Sequence, residues 1–338
     1  PIALIDGQFF SMNHRILTVF ILFTLLYITG CQSTGVPLAP TVEPVLATTR
    51  TTEAMPSPPD ASLPVWTPTD EAAPAATATH PPEATSTTIL TPTSDIRPLP
   101  ATWRRWPVVP TLSARAAEIY QRGLALGNDP HSFSRIGDCQ SEPGVFMGIY
   151  GDPNLYHLDQ QHQYLQATID QFNGSFGWTN ITARRGFGIS SVLSPLMSDP
   201  KYCTGSESPL ECEFRVHKPS IVFISMGTNW CANCTRKFDG YLRKIVDFSI
   251  DRGVLPVLTT KADNVEGDNS LNADIAQVAY DYDLPMWNFW AAVQNLPGHG
   301  LKSDGVYLTV AGWDTRSFTG LLTLDTLWSN LKPLNPTP

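Results

Sequence analysis

Apolar and polar positions follow several distinct rhythms along this chain. Leu158, Tyr164, Leu165, Ile169 and Phe172 fall at helical spacing and predict a helix over 158–172 with one face toward a core. Ser113 precedes a second such stretch and offers an N-cap hydroxyl to a helix running to about Leu126. Residues 220–226 (Ser-Ile-Val-Phe-Ile-Ser-Met) form instead a nearly unbroken apolar and β-branched run, the pattern of a strand covered on both faces. Further on, the pattern predicts a helix over 236–250, a buried strand over 254–259 after Gly253, a helix over 271–282, a short strand at 286–287 and a last helix over 320–331. With a short strand over 133–136 in front, this alternation predicts an α/β domain: a mainly parallel sheet with helices on both faces. Its ligand site is expected at the carboxyl ends of the strands.

Composition divides the chain. Of its 30 prolines, 16 lie between Val36 and Pro110, where the rest is largely Thr, Ala and Ser. Such a segment has too little apolar surface to offset the entropy of its own ordering. Residues 31–105 therefore read as a disordered tether of coil and polyproline-II, and 106–338 as one folded domain. In front of the tether, Arg15 is followed by an apolar run of 13 residues from Ile16 to Ile28, short for a bilayer span. The sequence Ile28-Thr29-Gly30-Cys31 resembles a bacterial lipobox, in which the cysteine thiol receives the lipid. Residues 1–30 then comprise upstream residues, with Met12 as the start, and a signal peptide. Lipidated Cys31 places the domain outside the cytoplasm, with the membrane as partner. An ordinary secretory signal with an incidental cysteine is the plainer alternative. A net charge of −9 leaves no basic stripe for a nucleic-acid partner.

Six cysteines are present. Cys203 and Cys212 flank a short loop and are expected to pair in an oxidising exterior, and Cys231 and Cys234 form a C-x-x-C able to pair locally. On that pairing, with Cys31 lipidated, Cys139 keeps its thiol, although other connectivities stay open.

The chemistry stands just after the strands. Gly137-Asp138-Cys139-Gln140-Ser141 follows the first strand, Arg184-Arg185-Gly186-Phe187-Gly188 comes mid-chain, Gly227-Thr228-Asn229 follows the strand ending at Met226, and Asp304-Gly305-Val306-Tyr307 lies near the end. In order and spacing these resemble the SGNH (GDSL-type) hydrolases: a G-D-S turn, a mid-chain glycine, a G-x-N and a closing D-x-x-H. The likeness runs from about Phe133 to Gly312, helped by 247–260 and 272–290. It implies a flavodoxin-like three-layer α/β/α domain that cleaves acyl or acetyl esters of carbohydrate or lipid, with no cofactor and no metal. It also implies an oxyanion hole formed by the N–H of Cys139, the N–H of Gly188 and the amide of Asn229, with Asp304 orienting the base.

Two positions depart from that pattern. Cys139 replaces the serine nucleophile and Tyr307 replaces the histidine base. A thiol needs a neighbouring base or positive charge to fall below its ordinary pKa of about 8.5, and tyrosine, ordinarily near 10, is a poor base at neutral pH. His299 is a candidate substitute base, and its plainer reading is a solvated loop residue. The resemblance thus implies an esterase-like domain of weak or absent activity. Two alternatives are carried. One is a non-catalytic glycan-binding pseudoenzyme, to which Trp287 and Trp290 lend aromatic faces. The other is a thioredoxin-like oxidoreductase using Cys231 and Cys234, since Trp230-Cys231-Ala232-Asn233-Cys234 between strand and helix resembles that family's W-C-x-x-C.

Overall fold

The computed structural model describes residues 97–229 and 235–331. Among them, four strands, β1 (Asp129–Gly137), β2 (Pro219–Ser225), β3 (Leu255–Thr259) and β4 (Met286–Trp287), pair in that order. Every pairing is parallel, with Ile136 beside Ile224, Ile224 beside Leu258, and Leu258 beside Met286. On the outer edge of β1, Gly137 makes one further parallel bridge, to Ala183. That bridge is second in the chain but outermost in space, so the spatial order is 2-1-3-4-5, the doubly wound order. The crevice expected of such a sheet lies where the order reverses, between the carboxyl ends of β1 and β2.

Among the described residues, eight helices flank or extend the sheet: α1 (Ala114–Ala125), α2 (Gln166–Gln171), α3 (Asn173–Phe176), α4 (Pro209–His217), α5 (Thr235–Asp251), α6 (Ser270–Asp281), α7 (Phe289–Val293) and α8 (Val310–Leu331). Side chains of a strand alternate between faces. The β2 residues Phe223 and Ser225 meet the layer that holds α8, where Arg316 donates to Ser225 Oγ at 2.7 Å. The opposite layer holds α4 and α5, joined by the Phe214–Phe248 ring contact. All seven residues of β2 are buried, as their apolar run predicts. Phe223 packs edge-to-face on Phe133, Phe146 and Trp287, an aromatic centre for the core.

Ser113 caps α1 as expected, its Oγ accepting from the Ala116 N–H at 3.1 Å. Cys203 and Cys212 form the expected disulfide, tying a surface loop to α4. Three expectations are corrected. The stretch 158–172 is not one helix. Asp159 accepts from the N–H and ring of His162, which keeps the chain in a turn, and helix begins only with the 3-10 turn Gln163–Leu165 and α2. The last helix starts at Val310 rather than near 320 and runs through Gly320, whose missing side chain leaves room for the ring of Phe146 against the helix. Finally, residues 97–105 belong to the packed domain and not to the tether: Pro100–Arg105 is a 3-10 helix whose Trp103 is buried against Trp290. Among the described residues no helix is long and apolar enough to cross a membrane.

Candidate active site

β1 must end on a residue without a side chain. A Cβ at Gly137 would overlap Ser141 Oγ and the Ser225 carbonyl, so glycine lets β1 and the following turn close against β2. Asp138 then caps the turn Cys139–Ser141, accepting from the Gln140 N–H at 2.9 Å through Oδ1 and from the Thr228 N–H at 3.3 Å through Oδ2. One buried carboxylate thereby joins the loops that follow β1 and β2. Burial pushes its carboxyl up to about 6, against the pull of the Gln140 N–H and the Arg316 charge. Cys139 stands on this turn, partly exposed.

The other expected residues reach the same edge. Asn229 donates from Nδ2 to the Phe187 carbonyl at 2.9 Å, which brings the 227–229 loop against Gly188. Arg184 donates its N–H to the Gly137 carbonyl at 3.2 Å, and Arg185 donates its own to Glu142 at 2.8 Å, holding the mid-chain loop beside the turn. The segment with Asp304 and Tyr307 is a tight hairpin closed by the Leu301–Leu308 bridge. It docks through Gln140, whose Nε2 donates to the Val306 carbonyl at 3.4 Å.

The functional groups are arranged differently from the resemblance. Asp304 is exposed, and its Oδ1 accepts from the N–H groups of Tyr307 and Val306 at 2.9 and 2.8 Å, which together hold its carboxyl below the usual range. That oxygen fixes its own hairpin. The N–H of Gly188, an expected oxyanion donor, donates to Ser191 Oγ at 3.0 Å. His299 lies exposed on the turn Pro297–Gly300, with Nδ1 donating to the Gln294 carbonyl at 3.0 Å. Trp230, Cys231 and Cys234 lie outside the described residues, as does Cys31.

Sequence reasoning missed two buried cations near the turn, Lys261 and Arg316. Lys261, which is buried, donates from Nζ to Asp263 at 2.6 Å and to Glu266 at 2.5 Å, while Asp263 accepts from Thr228 Oγ1 at 3.0 Å. Arg316 on α8 is buried and donates from Nη2 to Ser225 Oγ at 2.7 Å and Ser141 Oγ at 3.4 Å. The available signal was phase: Arg316 shares a helical stripe with Gly320, Leu324, Leu327 and Leu331, all buried.

No protein-family model matches this chain, and no curated protein matches it. Several solved structures are similar to it. An α/β hydrolase enzyme from the metagenome of Lake Arreo, Spain, is 17% identical with a TM-score of 0.40, over 60% of this chain and 96% of that one. A GDSL-like lipase from Bacteroides thetaiotaomicron is 16% identical with a TM-score of 0.38, over 62% and 96%. A variant of an acetyl xylan esterase from Geobacillus stearothermophilus is 15% identical with a TM-score of 0.39, over 59% and 94%.

Proposed function

We propose that this chain is a lipid-anchored, extracytoplasmic domain of SGNH-hydrolase type that binds acyl or acetyl esters of carbohydrate or lipid and cleaves them slowly. Cys139 is the nucleophile, and Tyr307 stands where the resemblance places the imidazole that relays its proton. The observation that carries the reading is the joining of four separate segments at one sheet edge through Asp138–Thr228, Asn229–Phe187, Arg184–Gly137 and Gln140–Val306. A nucleophile at a strand end with amide donors beside it is what acyl transfer requires. Tyr307 in the base position and Asp304 spent on its own hairpin account for the slowness, because losing a triad member leaves only about 10³ to 10⁴-fold over water.

The test is hydrolysis of p-nitrophenyl acetate by wild type and Cys139→Ala across pH. A slow rate that rises as the thiol ionises and vanishes in the variant supports the reading; a robust rate that survives Cys139→Ala overturns it. The anchor is tested separately: labelled fatty acid should enter the wild type in a bacterial host and not Cys31→Ala. The occupied Gly188 N–H favours a second reading, a glycan-binding domain without turnover. Saturable binding of acetylated glycan with no product at any pH is its distinguishing outcome.

A further inference from the structure

The loop that carries Gly188 is tied to β1 by a set of buried polar groups. Residues 175–181, which lead into that loop, lie against two fully buried side chains of opposite charge, Arg135 on β1 and Glu213 on α4. Glu213 accepts from Asn180 Nδ2 at 2.9 Å through Oε1 and from the Ile181 N–H at 2.7 Å through Oε2. Arg135 donates from Nε to Asn180 Oδ1 at 2.7 Å, and from Nη2 to the Ser175 carbonyl at 2.8 Å and to those of Phe176 and Trp178 at 3.1 Å. Its Nη1 donates to the Phe146 carbonyl at 2.7 Å, in the segment that follows the Cys139 turn. Asn180, itself buried, thus stands between the two charges and uses both ends of its amide. Its orientation is fixed by chemistry, since a guanidinium can only donate and a carboxylate can only accept.

From Asn180 the hydrogen bonds run to the candidate site without a break. Thr182 donates from Oγ1 to the Arg135 carbonyl at 2.7 Å, and its own carbonyl accepts from the Gly137 N–H at 3.0 Å. Arg184 donates its N–H back to the Gly137 carbonyl at 3.2 Å, and Phe187 donates its own to the Arg184 carbonyl at 3.1 Å. The Phe187 carbonyl then accepts from Asn229 Nδ2 at 2.9 Å, and Gly188 is the next residue. The place of Gly188 and Asn229 at the end of β1 therefore depends on a segment that is itself fixed on Arg135 and Glu213. A buried charge pair is a poor source of stability, because apolar residues of similar volume commonly serve as well or better. What the two charges and the bridging amide supply is register: each bond joins one donor to one acceptor, and the segment fits them in one position.

We propose that Asn180, held between Arg135 and Glu213, is a positioning residue for the ester-cleaving site, fixing the mid-chain loop so that Gly188 and Asn229 stand where charge develops on the substrate's carbonyl oxygen. The inference rests on the reading of the domain as a hydrolase of SGNH type. Asn180 touches no substrate and acts through the loop. Within the protein the donors of Gly188 and Asn229 are met by Ser191 Oγ and the Phe187 carbonyl, so the same loop also holds them ready. A displacement of about 1 Å at such donors can cost about 10²-fold in rate. Because their interaction strengthens only as the oxyanion forms, the loss falls on kcat and leaves KM nearly unchanged.

The test compares the full wild-type chain with two variants. Asn180→Asp keeps an acceptor for Arg135 and removes the donor to Glu213. Asn180→Asp combined with Glu213→Gln returns a donor to that contact. Two properties are measured well below each melting temperature: steady-state hydrolysis of p-nitrophenyl acetate, and amide hydrogen exchange of residues 182–191 against that of β2. Asn180→Asp is expected to lower kcat at least about tenfold with KM held within about twofold. Exchange over 182–191 should rise while β2 keeps its protection, and the double variant should recover part of both losses. A lower melting temperature with kcat and loop exchange unchanged would mark Asn180 as merely structural and overturn the proposal. Exchange that rises equally in β2, or a fall in kcat with no change over 182–191, overturns it as well.

If Asn180→Asp does not fold, Thr182→Val decides, since it keeps the shape of the side chain and removes only the hydroxyl that donates to the Arg135 carbonyl. A lower kcat with faster exchange over 182–191 supports the proposal, and wild-type values for both overturn it. Wild-type turnover that neither Asn180→Asp nor Thr182→Val alters defeats this inference alone and leaves the hydrolase reading standing. A loosened loop in a protein whose wild type turns over no ester at any pH defeats the hydrolase reading, and with it the positioning role, leaving Asn180 as a tie within the fold.

Discussion

The backbone N–H of Gly188 donates to the hydroxyl of Ser191 at 3.0 Å, three residues ahead in the same loop. The resemblance to SGNH hydrolases assigns that N–H to a developing oxyanion, and here a side chain of the protein already holds it. Ser191→Ala removes the acceptor. One oxyanion donor contributes about 10² to 10³ in kcat, so p-nitrophenyl acetate hydrolysis in Ser191→Ala is expected to rise by about tenfold or more. An unchanged rate in a variant of unchanged melting temperature would remove Gly188 from the site.

Nucleophile and base act as one unit, and their effects do not add. Cys139→Ser alone should lower the proposed weak activity, since a hydroxyl without a base is a poorer nucleophile than a thiol, and Tyr307→His alone should change it little. The double variant should exceed the product of the two single effects by at least about tenfold. His299→Ala should leave the rate as it is, because His299 is exposed and engaged with the Gln294 carbonyl. Kinetics that combine multiplicatively would argue against a nucleophile–base pair at 139 and 307.

The buried carboxyl of Asp138, pushed up to about 6, makes stability depend on pH with a definite sign. The folded state holds this proton more tightly than the unfolded chain, where aspartate titrates near 3.9. Its contribution is therefore fully present below about pH 4 and is lost as pH rises through about 6. Asp138→Asn keeps an acceptor for the Gln140 N–H and does not titrate. Urea unfolding at pH 4, 5.5 and 7 should show wild type losing on the order of 2–3 kcal/mol relative to the variant over this interval. Parallel profiles would contradict the burial account.

Glu213 should be among the costliest residues to truncate. Its fully buried carboxylate accepts from Ser134 at 2.6 Å, Asn180 at 2.9 Å and Trp178 at 3.1 Å through Oε1, and from the Ile181 N–H at 2.7 Å through Oε2. Those bonds pin the segment whose Ala183 pairs with the edge of β1. Glu213→Ala strands several donors and should cost at least about 3 kcal/mol, with a clear fall in melting temperature. Glu213→Gln, which retains acceptor capacity, should cost less. A loss below about 1 kcal/mol in the alanine variant would show that water or relaxation satisfies these donors.

By itself, the sequence determined the parts of this protein that rest on local pattern. The apolar runs of β2 and β3 and the two residues of β4 were legible because a strand buried on both faces needs an unbroken apolar code. The N-cap at Ser113 and the Cys203–Cys212 pairing were legible because their partners lie a few residues away. The motifs bearing Cys139 and Asn229 were visible as strand-end loops, which the alternation of elements directs to one sheet edge, while those bearing Gly188 and Asp304 were joined to them only by the resemblance. Only the tertiary structure decided what those loops do chemically. Gly188 meets Ser191 and Asp304 meets its own hairpin through loop conformations that no periodicity encodes. Pro100–Arg105 is ordered because Trp103 finds Trp290 nearly two hundred residues away. Phase places Arg316 on the buried stripe of α8, but that its charge sits among Phe146, Trp287 and Phe289 only the tertiary structure shows. A buried charge is defined by its surroundings, and here those surroundings come from two parts of the chain distant in sequence, around Phe146 and around 287–289.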